Sequence, residues 1–67
     1  MRMWFAYELS DAGVWEAVCY RVNFGDPALD DRPRTNLVAV PASCIGEDGE
    51  PLFGRLRDLY PLEVVDG

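Results

Sequence analysis

Residues 2–9 alternate at period two. Met3, Phe5, Tyr7 and Leu9 fall on one face, and Arg2, Trp4, Ala6 and Glu8 on the other. This predicts a strand with one buried face. Residues 14–24 repeat the period, with Val14, Val18, Tyr20, Val22 and Phe24 on one side and Trp15, Ala17, Cys19, Arg21 and Asn23 on the other. Glu16 interrupts the first of these sides. Ser-Asp-Ala-Gly at 10–13 supplies turn chemistry, because each type tolerates or stabilises a reversal for its own backbone reason. The two runs predict an antiparallel hairpin with a four-residue connection.

The alternation lapses over residues 25–36, GDPALDDRPRTN. Such a stretch predicts a long loop crossing an end of the sheet, with one helical turn capped by Asp26 and Pro27 at its first position. Residues 37–40 read as a short buried strand, stopped by Pro41. Asp48-Gly49 is a two-residue hairpin signal in which both residues can take positive φ, and Pro51 confines the returning arm to an edge. Over 52–60 the period lengthens. Leu52, Leu56 and Leu59, with Phe53 and Tyr60, make a helical stripe that Gly54 weakens and Pro61 ends. Residues 62–65 read as a last strand. The expectation is one small domain over residues 1–67 of class α+β, a mostly antiparallel sheet of four to five short strands with one or two short helices.

The 67 residues limit the core. A single core of this size rarely supplies more than ~3–5 kcal/mol. Apolar residues make up 49% of the chain, which argues against disorder. No run approaches ~18 apolar residues, the length of a membrane helix. The opening Met-Trp-Phe-Ala-Tyr, ended by Glu8, is too short for a signal sequence. These features predict a complete, monomeric protein of the cytoplasm, with Cys19 and Cys44 as reduced, apolar fillers. All six cations are arginine, and lysine, glutamine and histidine are absent. That bias is what a GC-rich bacterial or phage genome produces.

No pattern supplies catalysis. Histidine is missing, Ser10 and Ser43 have no basic partner in sequence, and acidic neighbours would blunt Cys44 as a nucleophile. The expectation is a non-enzyme without cofactor. Two cysteines and no histidine cannot assemble a four-ligand zinc site. Gly46-Glu47-Asp48-Gly49 puts carboxylates where a phosphate cradle needs none, and no calcium loop is present. A weak divalent site at Glu47, Asp48 and Glu50 is the one remaining metal alternative.

Net charge is −6. Glu47, Asp48 and Glu50 hold half of it, and residues 37–54 contain no cation. Asp26, Asp30 and Asp31 form a second concentration, beside Arg32 and Arg34. This sign opposes nucleic acid and anionic membranes. The acids have two readings: turns that only need water, or a surface that meets a basic partner. Residues on one face of a strand lie ~7 Å apart and neighbouring strands ~4.8 Å, whereas duplex DNA carries a charge every ~1.7 Å of axis. Five or six gathered carboxylates would approximate a short phosphate stretch. Trp4 and Trp15, each on the less apolar side of its strand, are either core or anchors for a partner.

In its size, acidity, lack of lysine and lack of catalytic residues the chain resembles phage-encoded anti-CRISPR proteins. No motif carries that resemblance and it transfers no residue roles. It implies an inhibitor in a bacterial host cell that occupies a basic nucleic-acid-binding surface of a CRISPR effector. The charge pattern, not the resemblance, nominates Asp26, Asp30, Asp31, Glu47, Asp48 and Glu50 to meet such a surface, with Trp15 as apolar anchor. The alternative is a non-catalytic adaptor or accessory subunit that binds through an aromatic face or a strand edge.

Overall fold

The structure is a computed structural model and describes residues 2–23, 25, 27–29 and 31–62. Three strands, β1 (Arg2–Leu9), β2 (Trp15–Val22) and β3 (Arg34–Ala39), form one antiparallel sheet in the order β2-β1-β3. A 3-10 turn (Ala42–Cys44) and one helix, α1 (Phe53–Leu59), follow. The α+β class stands. Among the described residues the sheet has three strands, and an isolated bridge between Ile45 and Pro51 accompanies them. Residues 63–65 of the expected last strand lie outside the described residues, and Leu62 is in no strand. The expected turn begun by Asp26 also falls outside, while Pro27–Leu29 has no regular structure.

The first hairpin turns on three residues rather than four. Ser10 and Val14 are joined by a 2.8 Å bond from the Ser10 N–H to the Val14 carbonyl, and the Gly13 N–H reaches the Ser10 carbonyl at 2.9 Å. Gly13 closes the loop at φ 78°, a region costly for residues with a Cβ. The Glu47–Gly49 turn copies this wiring. Gly46 N–H bonds the Glu50 carbonyl at 2.8 Å, Gly49 N–H bonds the Gly46 carbonyl at 3.0 Å, and Gly49 has φ 81°. Glycine alone takes positive φ there. The two-residue Asp48-Gly49 turn is therefore corrected to a three-residue loop with a glycine bulge.

That first loop fixes the register. Leu9 faces Trp15, Phe5 faces Cys19 and Trp4 faces Tyr20, so odd-numbered residues of β1 and β2 share one face. On it, Phe5, Tyr7, Cys44 and Leu56 make the core, with Trp15, Ala17, Cys19, Val38, Val40, Tyr60 and Leu62 packed around them. Phe5 and Tyr7 meet edge to face, 5.2 Å between centroids. Val18, Tyr20 and Val22, the apolar side expected for β2, lie on the opposite face with Trp4, Ala6 and Glu8. Both faces of the sheet thus carry apolar side chains, and Ala6 is fully buried.

β3 departs from simple alternation. Phe5 pairs with Val38 and Tyr7 with Thr35, leaving two β3 residues opposite Ala6. Asn36 takes φ 59° in this bulge, and its Nδ2 donates to the Pro61 carbonyl at 3.0 Å. Without the extra residue Thr35 and Val38 could not face the same side. β3 begins three residues earlier than the apolar run 37–40 suggests. Both β2 and β3 run antiparallel to β1. The 23–33 connection therefore leaves at the Arg2 end and returns at the Glu8 end, travelling the length of the sheet rather than crossing one end of it.

Candidate functional site

The acidic turn is held to the sheet by Arg21, whose Nη2 lies 2.8 Å from Glu50 Oε2. Asp48 Oδ1 accepts the Glu50 N–H at 3.1 Å, an interaction that belongs to the turn itself. Glu47 is exposed and has no partner among the described residues. Of the three carboxylates, one faces a guanidinium, one serves the turn and one meets only water. Asp31 is exposed and sits close to Pro33, whose carbonyl receives the Leu9 N–H at 3.1 Å. The turn is anchored opposite Met3 through Arg21, while Asp31 belongs to the Leu9 end. Six strand rises of ~3.3 Å put about 20 Å between these anchor points. The described members of the two acidic segments are therefore not gathered into one patch; Asp26 and Asp30 lie outside the described residues.

Trp15 is half-buried and packs on the core cluster. Trp4, opposite Tyr20, lies on the other face, so the register separates the two tryptophans. The indole N–H of Trp4 is buried without an acceptor.

A polar cluster that sequence reading did not single out lies on the Trp4 face. The Glu8 carboxylate accepts from the Tyr20 hydroxyl, lies 3.0 Å from Arg34 Nη2 and 3.3 Å from Arg32 Nη1. Arg34 Nε donates to Tyr20 Oη at 2.8 Å, and its guanidinium lies 5.2 Å from the Tyr20 ring centre. Arg34 also donates to the Arg32 carbonyl at 3.0 Å. The sequence places Arg32 and Arg34 among aspartates, which hides that both reach Glu8, 24 and 26 positions away. The cluster clips the end of the 23–33 connection to β1.

Among the described residues no group of three Cys, Asp or Glu side chains could share a metal ion. Burial pushes the Cys19 thiol above its usual pKa, with Arg21 opposing, so Cys19 is a poor thiolate source. Cys44 is fully buried. A shallow cavity of about 220 Å³ is lined by Asn36, Val38, Leu59, Tyr60 and Pro61, with no carboxylate, thiol or cationic side chain among them. No described helix is long and apolar enough to cross a membrane.

The two sheet edges differ. β3 has six residues, a bulge at Asn36, Pro33 before it and Pro41 after it. Those are the devices by which proteins blunt an edge. β2 has eight residues in unbroken register, no bulge and no proline. Because the Ser10 N–H bonds the Val14 carbonyl, the even residues of β2 point their backbone groups at β1. Trp15, Ala17, Cys19 and Arg21 point theirs outward, and among the described residues no backbone group pairs with them. No family model, no curated protein and no solved structure matches this chain.

Proposed function

We infer that this chain is a non-catalytic protein-binding module that takes an extended segment of another polypeptide onto the outer edge of β2. The observation that carries this reading is the contrast between the protected β3 edge and the eight-residue β2 edge, whose outer side has no partner among the described residues. Four outward-facing residues present N–H and C=O groups at the spacing of an antiparallel partner. Trp15, half-buried beside this edge, offers the incoming strand an aromatic contact. The two free cysteines fit a reducing compartment, which supports placing the protein in a bacterial cytosol.

A second reading keeps Glu47 and Asp48 as the binding surface. Both are exposed in a segment without a cation, which favours attraction to a basic surface such as the nucleic-acid channel of a CRISPR effector. Affinity capture from a GC-rich bacterial lysate, with mass spectrometry of the retained proteins, separates the two. Strand addition expects retention to survive Glu47→Gln with Asp48→Asn and to be lost in Ala17→Pro, which removes an outward N–H from the edge. Capture that survives Ala17→Pro but fails in the acidic variant or in high salt would replace the first reading with the second.

A further inference from the structure

The geometry points to a specific occupant of the β2 edge: the β2 strand of a second copy of this chain, antiparallel, with the two-fold axis at Val18. This inference rests on the strand-addition reading and names its partner.

Only residues whose backbone groups face outward can exchange ladder bonds across a new interface, and on β2 these are the odd ones. A symmetric antiparallel pairing must therefore match odd with odd. Centred on Val18, it sets Trp15 against Arg21, Ala17 against Cys19, and the reciprocal pairs, giving about eight inter-chain hydrogen bonds at two per pair. Centred on Cys19, it keeps only three such pairs within the strand. Centred on Ala17, it also keeps three and shortens the overlap.

Side chains favour the same register. On the Trp4 face it opposes Val14 with Val22 and Val18 with Val18, and Glu16 with Tyr20. Val14 is 55% exposed in the single chain, and this pairing covers it with a valine. On the helix face it lays Arg21 beside Trp15 of the second copy, a favourable cation–aromatic neighbour. No like charges oppose one another. The Cys19-centred alternative sets Glu16 against Val22. An isologous contact needs a self-complementary strip, and residues 14–22 read as one. The product is a continuous six-stranded sheet whose outer edges are the two protected β3 strands.

Sedimentation equilibrium on the intact chain tests this, with amide exchange followed by NMR. The expected results are a dimer mass, and exchange at Trp15, Ala17, Cys19 and Arg21 that slows at least about tenfold between dilute and concentrated protein. Ala17→Pro should give a monomer that keeps its far-ultraviolet spectrum. Since that variant risks misfolding, Val18→Cys in a Cys19→Ser background provides an independent readout. The two introduced thiols face one another across the two-fold axis in a non-hydrogen-bonded pair, the kind whose side chains approach most closely. Mild oxidation should yield a covalent dimer. A monomer at every concentration overturns the inference, as does an unaltered chain that crosslinks through Cys19 while the Val18→Cys variant does not, the outcome of the Cys19-centred register. A monomer whose partner capture still depends on Ala17 removes the second copy and leaves strand addition standing. Fast exchange of the four outward amides with and without a captured partner removes both.

Discussion

The Tyr7 hydroxyl, on the central strand, donates a 2.7 Å hydrogen bond to the Tyr60 carbonyl, 53 positions later. Tyr60 ends α1, with its N–H bonded to the Leu56 carbonyl. One phenol thus ties the last turn of the helix to the middle of the sheet. Tyr7→Phe should keep the ring packing and lose this tie. The expected cost is about 1 kcal/mol in urea unfolding at unchanged m-value. A loss below measurement would mean that water replaces the phenol without penalty.

Leu56 is the helix's fully buried residue, and α1 meets the sheet through it. Leu56→Ala should cost about 2–5 kcal/mol. Against a total of ~3–5 kcal/mol for a domain of this size, the variant should be largely unfolded at 25 °C by circular dichroism. A cooperative transition near that of the unaltered chain would show that the core lies elsewhere.

Three glycines should respond to alanine with two signs. Gly13 and Gly49 have open space around a Cβ but positive φ. Alanine there should destabilise by about 1 kcal/mol through backbone strain alone, and alike at both because the loops share their wiring. Gly54 sits in α1 with nothing near its Cβ and no positive φ. Gly54→Ala should raise stability by up to about 1 kcal/mol. Melting midpoints of the three variants decide the matter.

The two ion-pair systems should differ in weight. Arg21 and Glu50 are 45% and 60% exposed, so Arg21→Ala should cost no more than about 1 kcal/mol. Glu8 and Arg34 are 14% and 10% exposed and share the Tyr20 hydroxyl. Glu8→Ala takes the carboxylate from a shielded guanidinium that keeps the Tyr20 hydroxyl and the Arg32 carbonyl, and should cost about 1.5–3 kcal/mol. A double-mutant cycle with Arg34→Ala should return a coupling that Arg21 and Glu50 do not show.

Burial raises the Cys19 pKa above its ordinary value of 9.0, so the folded chain holds that proton more tightly than the unfolded one. The resulting stability is full below pH 9.0 and declines as the pH rises towards the folded-state value. Relative to Cys19→Ala, the unaltered protein should lose stability above that pH. Parallel stability curves for the two would contradict the assigned burial.

The hairpin, the helix and the halt at Pro61 were legible because period and breakers are local. The 10–13 turn was legible in kind, and its three-residue length was not: Ser10 joins the ladder through backbone bonds that composition does not reveal. The faces of β2 were inverted for the same reason, since one residue of loop length decides which side a strand presents. β3 hid three polar residues, Arg34, Thr35 and Asn36, inside a stretch that reads as loop; tertiary pairing with Tyr7 and Glu8 overrode their propensity. The Glu8 cluster depends on contacts more than twenty positions apart, beyond any local signal. The acidic turn was legible as a turn, yet its bond to Arg21 and its distance from Asp31 are properties of the folded sheet.

β1 precedes in sequence every element that packs on it. At about 5–20 residues per second, a ribosome needs roughly 3–10 s to proceed from residue 9 to residue 60. For that interval the aromatic ribbon from Met3 to Tyr7 has a hairpin mate and no roof. Its window for capture by chaperones is set by translation speed, and slow codons between the hairpin and the helix would widen it.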